Sequence, residues 1–505
     1  MGREHLRIHK QENNRHRPPP QSEALVPDVQ PNPAALLRQA IEHQPLLQQP
    51  ENVQQIQSLI GNQATQRLLI QRLPSGAEAL RQHGAPEGIT NTMNRFRYGK
   101  LIDKLDDLNL YILNTALGVN RNEIMGQFMH LRDLYASVYT AAVTYFNNLS
   151  APLKESDTGA FVWNLLPRIN KEEAQLVPIM LHLLDNVGRY QAAHMPQPKL
   201  HIVLSSNRNV GRPTTVDTQN RLRTVGGGMN VASFYNQGIF KAPKMHLTNE
   251  LLANPGGETE AMDYGEGHGM TRVAAQNEFW IGGQDLGLRQ SDSLMKREVA
   301  MSYLDRLLGA GMLAKTELAL QRDGVNVTEG ILMQSAGNTK MGDWITQHGA
   351  ASIRTNPVMR DLSKLQLLDL LALQIDRHTN NYMVHTDVTG QIVRLVGFDH
   401  DMAFGRRGGW ESGHTKEIPG LAEYVDRELA QRIVDLDPEM LRWVMQGLLE
   451  PDVIDFLLAR LDKLKTHLRE HIDKWLNPDQ WETVMNSEQF KSDKSYINRV
   501  SPVNV

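Results

Sequence analysis

Between residues 95 and 190, apolar side chains return every three or four positions, the period of helices that bury one face. Leu101, Leu105, Leu108 and Ile112 form one stripe. Ile124, Phe128, Leu131, Tyr135, Val138 and Ala142 form a longer one. Asn170 followed by Glu173 has the form of an N-cap and its N3 partner, and predicts a third helix with Leu176, Ile179, Leu183 and Val187 inward. Such helices predict a small bundle or a brace for the domain after them, and no chemistry attaches to them.

From about residue 198 the period changes. Leu200–Leu204 predicts a strand. A glycine-rich turn, Gly226–Gly228, leads through a second turn to the strand Gly238–Lys241. A helix is predicted from Ser293 to Leu308, closed by Gly309 as a C-cap. Thr316–Leu320 and Gly330–Gln334 predict a hairpin that ends at a hinge near Met333 and Gln334. Ser363–Gln366 reads as a capping box that opens a helix with Leu365, Leu368, Leu371 or Ala372, and Ile375 inward. Tyr382–His385 and Gln391–Val396 predict two short strands with Gly390 in the turn. Residues 420–476 are helical again, with Ile454, Leu457, Leu461, Leu464, Leu468 and Trp475 on one stripe. From Pro478 a polar tail is expected.

Composition alters this picture at the amino-terminal end. Residues 1–50 hold eight prolines and few aromatic or β-branched residues, which predicts disorder. The net charge of −4 among 505 residues points to neither nucleic acid nor a membrane surface. With no cysteine there are no disulfides, thiolate metal sites or cysteine nucleophiles. No run reaches the 18 or so apolar residues of a membrane span, and no signal-peptide core is expected. Met1-Gly2 does not fit a myristoylation signal, because Leu6 stands where Ser or Thr is wanted. Residues 247–290 are irregular and take no role.

The candidate chemistry gathers at the hairpin. Asp376 and Asn381 lie just before it and Asp399 just after, so its closure predicts that all three meet. Kinase-fold phosphotransferases use this layout: one Asp handles the acceptor proton, while an Asn and a second Asp hold Mg²⁺ on the nucleotide phosphates. Oxygen ligands suit Mg²⁺. The same layout gives Gly226, Gly227 and Gly228 a place beside the phosphates, and Lys241 the role of their point charge. Lys244 competes for that role. Glu298 is the expected partner of the lysine, Met333 and Gln334 fall at the nucleotide hinge, and Arg297 is a second candidate for the nucleotide pocket. Arg406 and Arg407 occupy the activation-loop position, where they are candidates to meet an acidic substrate.

The stretch Asp376-Arg377-His378-Thr379-Asn380-Asn381, with Phe398–Gly405 and the Lys296–Gly309 helix, resembles the phosphatidylinositol 3-/4-kinase branch of the kinase superfamily. It looks most like the divergent members found in bacterial effectors and in actin-fragmin kinase. The resemblance covers roughly residues 195–475. It implies an α+β, two-lobed kinase-like fold with a β-rich N-lobe and a helical C-lobe, preceded by a helical region and a disordered leader. It implies ATP and Mg²⁺ as cofactors, Asp376 and His378 as catalytic residues, and Asn381 and Asp399 as metal ligands. The chain departs from common kinases in three ways. Asp376 precedes Arg-His instead of following it, His400 stands where Phe is usual, and the three glycines are contiguous. The acceptor and the transferred group therefore stay open. A host protein hydroxyl is favoured over a phosphoinositide, because no basic membrane-binding surface is evident. Transfer of a nucleotidyl or glutamyl group, and a non-catalytic ATP-binding scaffold, are the alternatives.

In the leader, Leu59–Leu69 contains Gly-Asn-Gln-Ala-x-x-Arg-Leu-Leu. This resembles a short motif near the N-terminus of cargo proteins of extracellular contractile injection systems. It implies packaging with the tube or loading proteins of an injection particle, and secretion into a target-cell cytoplasm. The plain alternative is an amphipathic helix that docks on the chain's own body in an ordinary cytoplasmic protein. The expected organisation is a leader with a delivery motif (1–90), a helical domain (91–194), a kinase-like catalytic domain (195–476) and a polar tail (477–505).

Overall fold

The computed structural model describes residues 95–192, 197–225, 230–243, 261–262, 270–271, 287, 293–337, 339–408, 410 and 420–500. The leader with its Leu59–Leu69 motif, the turn Gly226–Gly228, Lys244 and nearly all of 247–290 lie outside the described residues.

Helices α1 (Arg95–Asn114) and α2 (Arg121–Asn148) bury the two stripes expected of them. The second half of α2 is rich in Val, Thr and Tyr, which are indifferent helix formers. It is helical because the helix as a whole buries seven side chains, four of them in this half, each large apolar one worth roughly 1.5–3 kcal/mol, against α1, α3 (Asp157–Ala174) and α4 (Leu176–Ala192). Asn120 caps α2 by accepting the Glu123 N–H, while the Glu123 carboxylate accepts the Val119 N–H.

The predicted cap at Asn170 is not one. Asn170 lies inside α3, the break falls at Gln175, and Glu173 accepts a hydrogen bond from the Trp443 indole at 2.8 Å. Leu200–Leu204 is likewise a helix, α5 (Leu200–Ser206), and not a strand. The five residues, apolar except for His201, have no decisive period, and Leu200 and Val203, three apart, are the positions that bury.

A six-stranded sheet follows, in the order β1-β5-β6-β4-β3-β2. Its strands are β1 (Thr214–Asp217), β2 (Arg223–Val225), β3 (Asn230–Tyr235), β4 (Gly238–Pro243), β5 (Thr316–Asp323) and β6 (Asn326–Met333). Only the β1–β5 pair is parallel. The β5–β6 hairpin is the expected one, extended by several residues to Asp323 and Asn326. Helix α6 (Leu294–Leu308) packs on β5, capped by Ser293 and closed by Gly309 at φ 63°. A Cβ at Gly309 would meet the guanidinium groups of Arg121 and Arg432 at 2.8 Å. Both arginines donate to the carbonyls at that helix end.

The chain continues through β7 (Thr339–Lys340), α7 (Met341–His348) and α8 (Asn356–Ala372) into the hairpin β8 (Tyr382–Thr386) and β9 (Ile392–Gly397). Ser363 opens no helix. It sits in the middle of α8, which starts seven residues earlier with Pro357 in its first turn, and its hydroxyl accepts the Asp426 N–H. Beyond the hairpin come α9 (Arg427–Asp435), α10 (Pro438–Met445) and α11 (Pro451–Glu470), the last burying the predicted stripe from Ile454 to Leu468; Trp475 is buried beyond the helix end, in a two-residue strand.

Residues 481–500 are more than a polar tail. They form α12 (Trp481–Met485), α13 (Glu488–Ser492) and α14 (Tyr496–Val500), and they bury Trp481, Phe490, Tyr496 and Ile497. One apolar core runs from Leu101 in α1 to Ile497 in α14, while Val216, Tyr235, Phe240, Ala319 and Leu332 make a smaller core on the sheet. The architecture is mixed α+β: a helical region, then a sheet, then a largely helical region. No helix among the described residues is long and apolar enough to cross a membrane.

Candidate functional site

Lys241 reaches the site from β4, whose neighbour β6 places Met333 opposite Ile239 and Ile331 opposite Lys241. Its ammonium lies 3.1 and 3.4 Å from the two carboxylate oxygens of Glu298 on α6. It also lies 2.9 Å from Asp399 Oδ1. Burial pulls the lysine down, but Glu298 and Asp399 outweigh it and hold the ammonium above its ordinary range. Burial pushes the Glu298 carboxyl up and Lys241 pulls it back. With both carboxylate oxygens on the ammonium, the charged pair is the consistent state.

The hairpin does what its spacing predicted. Tyr382 pairs with Gly397, and the Phe398 N–H donates to Asn381 O at 3.0 Å, so the residues just outside the ladder meet. Asn381 donates from Nδ2 to Asp376 O at 2.6 Å and to Asp376 Oδ2 at 3.2 Å. Its Oδ1 takes no hydrogen bond among the described residues. The Asp376 carboxyl is raised by burial, lowered by His378, and raised again by Asp399, with a net upward shift. The Asn380 N–H donates to His378 Nδ1, and His378 Nε2 stands 3.7 Å from Asp376 Oδ1. Burial pushes Asp399 up, but Lys241 and then Arg377 and His378 bring it below the usual carboxylate range. Its side chain remains 41% exposed, so an incoming ligand can reach it.

Among the described residues, only Leu373, Asp399 and Phe404 have positive φ without being glycine. All three flank this site. Leu373 ends α8 in the left-handed conformation, and Asp399, at φ 62°, turns the chain directly out of the hairpin. Non-glycine residues in that region cost on the order of 1 kcal/mol or more each. Backbone bonds hold the turn: Ile375 N–H to Met402 O at 3.3 Å and Phe404 N–H to Ala372 O at 2.6 Å.

Several groups here were not singled out from sequence. Gln374 is buried, donates to Asp399 O at 3.1 Å and accepts the Asp376 N–H at 3.4 Å, so it couples the two aspartates. Asp401 is buried beside Asp399 and Glu298; burial and those two charges push it well above the ordinary carboxylate range. His400, noted from sequence only as a departure where Phe is usual, is buried, and burial with Arg377 and Lys241 keeps its ring neutral. Arg377, quoted in the motif, turns out to be its anchor. It donates to both carboxylate oxygens of Asp369, to Asn381 O and to Phe398 O, at 2.8–3.2 Å.

Met333, buried at the end of β6, packs in a small cluster with Val396, Ile239 and Phe398, the last directly before Asp399 in the chain. Gln334 comes next with an exposed side chain, its N–H on Lys315 O at 2.8 Å. Arg297 is a structural anchor. Its guanidinium donates to the carbonyls of Ala403 and Phe404, the latter at 2.7 Å, which fixes the chain after Asp401. Arg406 is held by Asp452 at 2.8 Å and by Gly287 O at 2.6 Å, which corrects its assignment to an acidic substrate. Gly226, Gly227 and Gly228 lie outside the described residues.

The donor set suits a hard divalent cation. Asp399 and Asn381 Oδ1 offer oxygens within a group that also holds Asp376, with no sulfur among them. No group of three or more His, Cys, Asp or Glu among the described residues is arranged to hold a metal alone. Mg²⁺ fits those facts, because it keeps several waters and takes few protein ligands beside phosphate.

No protein-family model matches this chain, and no curated protein is detectably similar to it. The chemistry of the site therefore rests on its own residues.

Proposed function

We propose that the chain is a two-lobed, kinase-like phosphotransferase that moves the terminal phosphoryl group of ATP to a hydroxyl. The observation that carries this reading is Lys241 held between Glu298 and Asp399, with Asp376 and Asn381 on the adjoining loop. Lys241 binds phosphate oxygens as a point charge, and Glu298 fixes it there. Asp399 and Asn381 hold Mg²⁺, which when bound supplies charge neutralisation on the phosphates. Asp376, its carboxyl raised by burial, orients the acceptor hydroxyl and takes its proton. His378, with Nε2 3.7 Å from Asp376 Oδ1, flanks that carboxylate. The acceptor oxygen forms a bond to phosphorus as the bridging bond to ADP breaks.

The acceptor is a host protein hydroxyl, with a phosphoinositide as the other class. Delivery as injection-particle cargo is supported by the Leu59–Leu69 sequence alone. Equal loading of the full chain and of a chain lacking residues 1–75 would remove it. The function itself is tested with ATP labelled on its terminal phosphate in a target-cell lysate, together with the mass of the labelled acceptor. Phosphate addition that disappears with Asp376→Asn supports the reading. A nucleotide-sized addition, or no acceptor and no ADP above the Asp376→Asn control, refutes it.

A further inference from the structure

Helix α8 is rich in leucine, yet two polar side chains three residues apart, Gln366 and Asp369, are each 1% exposed. Both receive the last folded segment of the chain. Gln366 accepts the Tyr496 N–H at 2.8 Å and donates to Lys494 O at 2.7 Å. Tyr496 buries its ring and donates its hydroxyl to Asp369 Oδ2 at 2.8 Å. That same oxygen accepts Arg377 Nε at 2.8 Å, while Asp369 Oδ1 accepts the second arm of the guanidinium at 2.9 Å. The remaining donors of Arg377 go to Asn381 O, Phe398 O and His400 Nδ1. Arg377 therefore grips the carbonyl just before β8 and the carbonyl just after β9, and so closes the hairpin mouth where Asn381 and Asp399 stand.

We infer that Tyr496 is a positioning residue for the Asp376–Asn381 loop: its hydroxyl fixes the Asp369 carboxylate, which fixes the plane of the Arg377 guanidinium. A carboxylate held by both arms of one planar guanidinium and by a third donor has one orientation. Without the hydroxyl, Asp369 Oδ2 keeps a single donor in a site closed to water, and the fork at Arg377 loosens. Burial and Asp369 both hold the phenol far above its ordinary range, so it stays a donor throughout the working pH range. The effect on turnover rests on the phosphotransferase reading, whereas the effect on loop order does not.

The test is Tyr496→Phe in the full chain, which keeps the buried ring and removes only the hydroxyl. Hydrogen–deuterium exchange is measured in peptides spanning 374–384 and 396–404, with α2 peptides as the control. Exchange at the loop should quicken by roughly tenfold, the worth of one charge-assisted hydrogen bond, while α2 stays unchanged. Turnover should fall by a similar factor, and Mg²⁺-dependent ATP affinity should weaken with it, because the loosened mouth carries Asn381 and Asp399 as well as Asp376. Asp369→Asn should reproduce both changes, and adding Tyr496→Phe to it should add little. Loop exchange at the wild-type rate, equal quickening in α2, or full additivity with Asp369→Asn would each overturn the inference. If the wild-type chain transfers no phosphate, the function reading fails, and the exchange measurement still decides this one.

Discussion

Lys241 and Asp399 are 158 residues apart in sequence, and their charged groups are 2.9 Å apart in space. One ammonium thus joins the sheet to the mouth of the hairpin, and through Glu298 it also joins α6. Three elements with separate folding requirements converge on one charge. Under the proposed function, the phosphates of ATP compete with Asp399 for that ammonium, which then serves both to assemble the site and to read its ligand.

Removing either end of the Lys241–Glu298 pair leaves a buried charge without its partner. Lys241→Met strips both Glu298 and Asp399, whereas Glu298→Gln leaves the lysine with Asp399. The lysine variant should therefore be the less stable of the two. The double variant should fall short of the summed losses by about 0.5–3 kcal/mol, the usual coupling of contacting groups. Urea unfolding of all four proteins checks this. Additive losses would show that the two side chains act independently.

Asp305 makes stability depend on pH in an uncommon direction. It is 4% exposed in α6, and burial, only partly offset by the N–H groups of Met312 and Leu313, raises it to about 6. The unfolded carboxyl titrates near 3.9. Between those values the folded state binds the extra proton, so this contribution is present below about pH 4 and is lost as pH rises to about 6. It amounts to about 3 kcal/mol. Asp305→Asn keeps an acceptor for the Met312 N–H, which lies 2.8 Å from Oδ1. The variant should gain on the wild-type chain between pH 4 and pH 6. Urea midpoints at both pH values should show that gain; parallel curves would refute it.

The hairpin and its three polar residues were legible because two signals agreed there. Alternation of period two fixed the strands, and Gly390, at φ 81°, fixed the turn. The long stripes of α2 and α11 were legible for the same kind of reason. Leu200–Leu204 was not, since a short apolar run fits a strand or a helix until its neighbours are known. Ser363 matched a capping pattern by spelling alone, inside a helix that Pro357 had already begun. Arg297 read as a candidate for the nucleotide pocket and Arg406 as a cation facing an acidic substrate, because a sequence does not distinguish a guanidinium already bound within the chain from one free to meet a ligand. Tyr496 was lost in a polar segment whose few large apolar residues have no period. The only trace of its role was Gln366 and Asp369, which with Ser363 are polar residues on a largely apolar helix face.

Under the proposed function the two aspartates do different work, and calorimetric titration with ATP, with and without Mg²⁺, separates them. Asp399→Asn removes a charge the metal needs, so nucleotide binding should lose most of its Mg²⁺ dependence and turnover should vanish. Asn381→Ala should behave in the same way. Asp376→Asn should keep Mg²⁺-dependent binding and lose roughly 10²–10⁴ in rate, the usual worth of a positioned base. If Asp376→Asn abolishes nucleotide binding while Asp399→Asn keeps both Mg²⁺-dependent binding and turnover, the roles assigned along this hairpin are contradicted.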